Sequence, residues 1–312
     1  MVTVAVAGGT GSVGRTIVDA LVQSNKHDVI VLTRKKRASH NIDPRHREFV
    51  VCYGDTEDVA SILHGENVHT VISTIAVLNE ATGQSELDLV AAAAKSATTK
   101  RFIASNWGGV IPRDESLRIM FQTQRLATIG ALQKTDLEWT QFQNGYFLDY
   151  YGMPHVESNL KPLTFVLDVA HAAAAIPGTG DEIMTFTYTK DLARFVVAAL
   201  DLRTWKFPMV CYSEKTTWNR MVKVAEKCRG VTFNVAYDSV EKLKGGEITE
   251  LPAHVSAYSF IPKSVLVGIQ SKFGLYVAYG LFDLPGEGSL NQLFPEIETA
   301  TVEDIIGCWK GK

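Results

Sequence analysis

The chain opens with a short apolar segment, residues 2–7, that runs directly into a glycine-rich turn. In this turn Gly8, Gly11 and Gly14 have the spacing G-x-x-G-x-x-G, and an amphipathic segment follows over residues 15–24. A strand, a glycine turn and a helix in this order form a dinucleotide-binding unit, because small residues let the backbone approach a pyrophosphate at a helix N-terminus. Glycines also make ordinary turns, but the position between an apolar strand and a helix favours the pyrophosphate site.

The residues of this turn are therefore the first candidate cofactor-binding residues. They are Gly8, Thr10, Gly11, Ser12, Val13 and Gly14. The spacing resembles the short-chain dehydrogenase/reductase form of the motif rather than G-x-G-x-x-G.

The end of the second apolar segment, residues 27–32, indicates which dinucleotide is bound. An NAD-preferring site places Asp or Glu there to accept hydrogen bonds from the ribose 2′-OH, whereas this chain continues Thr33, Arg34, Lys35, Lys36, Arg37. A guanidinium can grip a 2′-phosphate with two hydrogen bonds, and a carboxylate would repel it. We expect NADP(H), bound by Arg34 and Lys35. The alternative is a solvated cationic loop, to which Lys36 and Arg37 belong as readily as to the site.

Composition agrees with an intracellular enzyme. The chain has 312 residues, a net charge of −3 and no polybasic stretch beyond the one described, which argues against nucleic-acid and membrane-surface partners. Its four cysteines are far apart and show no zinc-binding spacing, so no metal site is expected. The N-terminus lacks the basic region of a signal peptide. These features predict a cytoplasmic protein, a monomer or a homodimer, acting on a small molecule.

Apolar segments and helical patterns alternate over the first half of the chain. The predicted strands are residues 2–7, 27–32, 49–53, 70–74, 101–105 and 138–142, with helices at 15–24, 86–97 and 118–134 and another running from the Gly54-Asp55 turn to Leu63. This alternation predicts an α/β fold with a Rossmann-type doubly wound parallel sheet. We assign residues 1–150 to the NADP(H)-binding domain. Residues 151–312 form a smaller C-terminal α/β substrate lobe that packs on it and is not an independent domain.

The carboxyl ends of these strands supply further candidates for cofactor binding. Thr74 and Ile75 follow the fourth strand, and Ser105 and Asn106 follow the fifth. Asp55 has two interpretations, a helix N-cap or a neighbour of the adenine.

Several motifs together resemble the NmrA-like family, the atypical short-chain dehydrogenases that include the isoflavone reductase-like enzymes. The resemblance lies in residues 8–14, 54–55, 101–108, 137–140, 144–147, 176–180 and 191–193, so it covers nearly the whole chain. It is closest to fungal members, many of which act in secondary metabolism. The resemblance implies an NADP(H)-dependent reductase, with Asn144 at the cofactor and Tyr146, Phe147 and Tyr151 at the substrate.

The chain departs from this family at one catalytic position. The resemblance implies a lysine on the helix before the sixth strand, and its place falls on Arg125 when counted back from Thr140. Arginine stays protonated, so it can clamp a ribose or an oxyanion but cannot readily shuttle a proton. The Tyr-x-x-x-Lys pair of ordinary short-chain dehydrogenases is also absent from the sequence.

Hydride transfer to a carbonyl or an enone needs charge stabilisation on oxygen and a final proton. The catalytic candidates are Arg125, Tyr150 and His155, with the alternatives that the tyrosine is pocket wall and the histidine lies on the surface. His171 is a weaker candidate of the same kind. Two function classes remain open. One is a reductase, or a non-redox isomerase or dehydratase on the same scaffold, acting on an aromatic or polyketide-type molecule; the other is a redox-sensing regulator that binds NADP(H) without turnover.

Overall fold

The computed structural model describes residues 1–35 and 45–312. The interpretation of Lys36 and Arg37 as part of the site or of a solvated loop lies outside these residues. The strands are β1 Thr3–Ala7, β2 Asp28–Thr33, β3 Arg47–Val50, β4 Val68–Ser73, β5 Arg101–Gly108, β6 Glu138–Gln143, β7 Tyr146–Phe147, β8 Leu167–Asp168, β9 Ala173–Pro177, β10 Met184–Thr187, β11 Met209–Val210, β12 Glu214–Thr216 and β13 Asn234–Asp238.

Helices connect most of these strands. They are α1 Ser12–Ser24, α2 Thr56–Gly65, α3 Glu80–Lys95, α4 Met120–Leu132, α5 Asp149–Gly152, α6 Thr189–Leu200, α7 Trp218–Arg229, α8 Val240–Lys244, α9 Pro252–Ala257, α10 Lys263–Ala278, α11 Leu290–Leu293 and α12 Val302–Ile306, with 3-10 turns at Glu115–Leu117 and Gly307–Trp309. In the part of the chain that the structure describes, none of these helices is long and apolar enough to cross a membrane.

The main sheet has the strand order β11-β6-β5-β4-β1-β2-β3 among the described residues, and β1 pairs in parallel with both β2 and β4. The chain runs outward from β1 to β3 and then crosses to β4 on the other side. The strand order therefore reverses between β1 and β4, and ligands of such sheets bind beyond the carboxyl ends of the strands at this point. The predicted Rossmann-type sheet is confirmed.

The sheet is held by apolar side chains on both faces. The inner residues of β1, β2 and β4 are almost completely buried, as expected for a parallel sheet covered by helices. On one side α1 buries Ile17, Val18, Leu21 and Val22, a spacing that places one helical stripe against the sheet. Each such side chain contributes about 1.5–3 kcal/mol when fully buried.

Three differences from the prediction stand out in the first unit. The third strand is Arg47–Val50 rather than residues 49–53, because the run 51–53 continues as turn structure after the pairing with β2 ends at Val50. Helix α3 begins at Glu80, six residues before the predicted start at residue 86, because Asn79 and Thr82 form a capping box there. The edge strand β11 was not predicted; with two residues paired to β6, it is too short to show periodicity.

The chain divides into two compact units whose boundaries interleave along the sequence. The first unit contains residues 1–107, 120–143 and 192–210, and the second contains 108–119, 144–191 and 211–312. The predicted division at residue 150 differs from this, because residues 192–210 return to the first unit and supply its edge strand β11. A continuous boundary cannot describe a chain that leaves a sheet and comes back to it.

The second unit contains two small sheets, β12-β10-β7 and β13-β9-β8. A buried carboxylate on α5 ties this helix to the start of α6 and to the loop after α5: Asp149 accepts hydrogen bonds from the Thr189 N–H at 2.9 Å and from the Ser158 hydroxyl at 2.6 Å. Gly145 stands before β7 with φ +69°, and an added Cβ would lie 2.1 Å from the Thr185 carbonyl oxygen. Only glycine fits this position.

Candidate active site

The glycine turn lies where the carboxyl ends of β1, β2 and β4 meet. Gly8 has φ +75° and donates its N–H to the Leu32 carbonyl at 3.0 Å, and an added Cβ would stand 2.9 Å from the Thr74 oxygen. At Gly14 a Cβ would lie 2.4 Å from the Thr74 hydroxyl oxygen. Both glycines are therefore required by the protein's own packing, which brings α1 close to the sheet.

Gly11 is less tightly enclosed than Gly8 and Gly14. Its φ of −81° is accessible to any residue, and the only protein atom near an added Cβ is the Gly8 oxygen at 3.2 Å. Gly11 is the N-cap of α1, and the first turn of this described helix carries neither a side-chain cap nor an acidic residue. The N–H groups and the positive end of the helix dipole are thus left for an anion.

A cleft of about 270 Å³ opens beside this turn. Predicted cofactor-binding residues that line it are Gly8, Thr10, Gly11, Arg34, Lys35, Thr74 and Ile75. Lining residues that the sequence analysis missed are Thr33, Tyr53, Ala76, Thr82 and Ser85. Thr33 and Tyr53 lie at or shortly after strand ends, as the predicted residues Thr74 and Ile75 do, so their position was an available signal. Thr82 and Ser85 belong to α3, and the sequence analysis placed the start of this helix after both of them.

The adenosine end of the cleft is cationic. Thr33 and Lys35 hydrogen-bond to each other across a tight turn, with Thr33 Oγ1 3.2 Å from the Lys35 carbonyl, and both Arg34 and Lys35 are exposed. Burial raises the pKa of Tyr53 to about 12, and the charge of Arg34 opposes this rise. Among the described lining residues none carries a carboxylate. These features suit a phosphorylated ribose.

Asp55 has the first of its two predicted roles. It is the N-cap of α2, where its carboxylate accepts the Asp58 N–H at 3.1 Å, and it is not among the residues that line the cleft. Ser12, Val13 and Gly14 begin α1 rather than lining the cleft. Their contact with a cofactor stays a prediction.

Replacing Arg34 with alanine is expected to remove most of the preference for NADPH over NADH, a loss of about 1.5–3 kcal/mol for a charged hydrogen bond. Fluorescence titration of both cofactors against wild type and mutant measures this. The control is Lys26→Ala, which removes an exposed cation paired with Asp201 at 3.3 Å. Equal affinities of the wild type for the two cofactors would contradict the assignment.

Beyond the turn, side chains at the end of β5 tie neighbouring strands together. The Ser105 hydroxyl donates to the Ile75 carbonyl at 2.8 Å, and the Asn106 amide donates to the Phe142 carbonyl at 3.3 Å. Neither residue is among those lining the cleft. The structure shows that both side chains hold the carboxyl edge of the sheet, and their predicted contact with the cofactor stays a prediction.

Arg125 reaches this same edge from α4. Its Nη1 donates to Asn106 Oδ1 at 3.1 Å, and its guanidinium carbon stands 4.7 Å from the centre of the Phe121 ring. Burial lowers the pKa of Arg125 to about 10, and the carboxylate of Glu86 opposes this. The side chain therefore stays protonated at neutral pH and places a fixed positive charge at the end of β5.

Glu86 is a site residue that the sequence analysis missed. Its carboxylate is fully buried and accepts the Ser105 N–H at 2.7 Å and the Thr128 hydroxyl at 3.2 Å. The available signal was one acidic residue on the apolar face of α3, in the spacing Gly83, Glu86, Leu89, Val90. Buried acidic side chains are rare, because burying a carboxylate costs free energy unless other groups hydrogen-bond to it or balance its charge.

The second unit contains an aromatic cluster centred on Tyr146. Its ring centre lies 5.6 Å from that of Tyr150, 5.2 Å from Phe165 and 6.3 Å from Phe282. Burial raises the pKa of Tyr146, and burial together with Asp149 raises that of Tyr150 to about 12, so both phenols are neutral at physiological pH. Phe147 is half-buried beside Tyr150.

The remaining predicted residues have distinct surroundings. Tyr151 is a core residue, 1 % exposed, whose hydroxyl donates to the Phe165 carbonyl at 3.2 Å. His155 is exposed with its ring 4.5 Å from that of Trp309, and His171 pairs with Asp168 at 3.0 Å. The Asn144 amide is fully buried, and the described residues offer it no hydrogen-bond partner.

These placements make Tyr151 a core residue, so its predicted contact with a substrate stays a prediction, and they favour the surface interpretation of His155. The orphaned amide of Asn144 leaves donors and an acceptor available for a ligand. The roles of Asn144, Tyr150 and His155 in binding or catalysis stay predictions. Among the described residues, no cluster of histidine, cysteine or acidic side chains could hold a metal ion.

Comparison with known proteins identifies the family of this chain. The NAD(P)H-binding family model matches residues 8–164. The oxidoreductase swnN of Metarhizium robertsii is 34% identical, over 98% of this chain and 96% of that protein. An isoflavone reductase-like protein of Olea europaea is 24% identical, over 96% of each. Among solved structures, the leucoanthocyanidin reductase–NADPH complex of Vitis vinifera has a TM-score of 0.73 at 20% identity and 98% coverage of both chains, a likeness of fold.

Proposed function

This chain belongs to the NAD(P)H-binding family that includes isoflavone reductase-like oxidoreductases, and we propose that it is an NADPH-dependent reductase of an aromatic or polyketide-type small molecule. The observation that carries the proposal is the half-buried, protonated guanidinium of Arg125 at the carboxyl end of β5. Such a group stabilises negative charge that develops on a substrate oxygen during reduction.

The cofactor fits the residues that are present. Gly11 leaves room beside the uncapped N-terminus of α1 for a pyrophosphate, and Arg34 and Lys35 supply cations for a 2′-phosphate. Thr74 and Ile75 would border the nicotinamide half, since they follow β4 at the strand-order reversal. NADPH, when bound, supplies a hydride; the protein's residues position it and manage the charge and the proton.

Arg125 would hold the substrate oxygen through its guanidinium N–H groups while Asn106 fixes the orientation of the side chain. Because the guanidinium keeps its proton, another group must protonate the product oxygen. Tyr150 is the candidate that the sequence analysis named, and its phenol is neutral and half-buried. A phenol with a raised pKa gives up its proton only to a strongly basic acceptor such as an alkoxide or an enolate.

The aromatic cluster of the second unit supports the substrate class. Tyr146 is buried and makes a tilted ring contact with Tyr150, which packs edge-on against Phe147; both of these rings are half-exposed, and aromatic rings of this kind suit flat apolar molecules. The relatives are named for reductases of isoflavone and leucoanthocyanidin, both aromatic compounds. Together with the fungal relative, this leads us to include a role in secondary metabolism in the proposal.

Arg125 also favours a second candidate function. A group that cannot shuttle a proton is compatible with a regulator that binds NADP(H) without turnover, or with an isomerase or dehydratase that uses the cation only to polarise its substrate. These alternatives differ from the reductase in what happens to the cofactor.

The test is NADPH oxidation followed at its absorbance band with a panel of enones, ketones and aromatic ethers, with products identified by mass spectrometry. A reductase consumes NADPH in step with a product two hydrogens heavier. Product formation without NADPH consumption would establish an isomerase or a dehydratase instead. Tight NADPH binding with no product from any compound, including ligands carried through purification, would count against the reductase and for the regulator.

A further inference from the structure

Glu86 lies inside the first unit, away from the cleft but next to the residues that act there. It is 0% exposed and is not among the lining residues, although its neighbour Ser85 is. A carboxylate in this position cannot touch a ligand directly. Its effect must pass through the groups that it contacts.

Close packing of two helices creates the position. At Gly83 on α3 an added Cβ would stand 2.7 Å from the Gln124 side chain on α4, so the helices approach closely there. One turn further along both helices, Thr128 donates to Glu86 Oε2 at 3.2 Å. The other carboxylate oxygen, Oε1, accepts the Ser105 N–H of β5 at 2.7 Å. Glu86 therefore joins α3, α4 and β5 at one point.

Arg125 lies on α4 within one turn of Thr128, and its charge interacts with this carboxylate across space. Burial raises the pKa of Glu86, while hydrogen bonds from the Ser105 N–H and the Thr128 hydroxyl and the charge of Arg125 oppose the rise. In return Glu86 opposes the loss of the Arg125 charge. A buried cation without a counter-charge is strongly unfavourable, and here the described residues also give the Arg125 Nε no hydrogen-bond acceptor.

We propose that Glu86 is a positioning residue, which keeps the Arg125 guanidinium ordered and charged at the end of β5. The effect of this positioning on catalysis rests on the proposed reductase function. The positioning of Arg125 by Glu86 does not rest on it. Two contacts define the geometry: Glu86 holds the Ser105 backbone, and the adjoining residue Asn106 holds Arg125 at 3.1 Å. Loss of the carboxylate charge frees the guanidinium to reorient toward water.

The first experiment needs no substrate. Glu86→Gln keeps the size and the acceptor for Ser105 but removes the charge, and Glu80→Gln makes the same change at an exposed position of the same helix. The Arg125 Nε–H resonance is identified in ¹H–¹⁵N spectra by its loss in Arg125→Lys. We expect its solvent exchange to accelerate about tenfold or more in Glu86→Gln and to stay unchanged in Glu80→Gln. Equal solvent-exchange rates of the Arg125 Nε–H in the wild type, Glu86→Gln and Glu80→Gln would overturn the proposal.

The second experiment uses a substrate found by the panel. Glu86→Gln is expected to lower kcat by about 10- to 100-fold with little change in KM for NADPH, and to have almost no further effect in an Arg125→Met background. An equal loss in both backgrounds would show that Glu86 acts on β5 alone. If the wild type turns over no compound, the reductase function fails while the exchange experiment still decides the pairing.

Discussion

Gly11→Ala is expected to reduce NADPH affinity by at least about a hundredfold, close to 2.7 kcal/mol, while the protein keeps its fold. The methyl group would enter the cleft at the N-terminus of α1, where a bound pyrophosphate must approach the backbone. The cost combines a steric clash with weakened charge-assisted hydrogen bonds. The fold should survive, because Gly11 has an ordinary φ and the one close contact of the added Cβ, the Gly8 oxygen at 3.2 Å, is relieved by a shift of a few tenths of an ångström.

Two other glycines act as controls for this measurement. Gly14→Ala places a Cβ 2.4 Å from the Thr74 hydroxyl oxygen, so this variant should lose stability as well as binding. Gly130→Ala, on α4, has nothing within 4 Å of the added Cβ and should be neutral or slightly stabilising. Fluorescence titration combined with thermal unfolding by circular dichroism separates the three. NADPH binding by Gly11→Ala at wild-type affinity would mean that this glycine only turns the chain.

Arg125→Ala is expected to lower kcat by about 10²- to 10³-fold, the usual cost of removing one group that stabilises an oxyanion. Arg125→Lys should keep or raise the activity, because a lysine retains the charge and can also exchange a proton. With a pKa of about 10, the native guanidinium is charged at neutral pH, and its contribution is lost only as the pH rises through that value. Wild-type kcat should therefore show no titration of this group below about pH 9.

The measurement is NADPH oxidation by the three proteins with one substrate, with cofactor affinity determined separately. Unchanged activity in Arg125→Ala would remove this residue from the reaction and shift the assignment to Tyr150 or His155. Of these, Tyr150 belongs to the aromatic cluster, whereas His155 is exposed beside Trp309. Tyr150→Phe, which removes only the hydroxyl, is then the next variant to measure.

Local sequence signals predicted the sheet and much of the cleft correctly. The glycine turn, the apolar strands and the basic residues after β2 each depend on neighbours within a few positions, so they are readable without the fold. Where signals were short or displaced, the prediction was wrong: β11 has two residues, and the capping box of α3 lies before the apolar run. For Asp55, the sequence could indicate the helix cap, because capping depends on neighbouring residues. It could not indicate whether the residue lines the cleft, because that depends on the fold.

The sequence by itself determined the dinucleotide fold, the glycine turn and the cationic end of β2, since each is a contiguous pattern with one physical explanation. Only the tertiary structure showed that the side chains of Ser105 and Asn106 hydrogen-bond to backbone carbonyls of neighbouring segments of the sheet edge. It also showed that Tyr151 belongs to the core. It alone brought Glu86 and Arg125, which are nearly forty positions apart in the sequence, to the consecutive β5 residues Ser105 and Asn106. Burial and charge pairing are properties of space rather than of order along the chain, which is why Glu86 could not be assigned before the helices were packed.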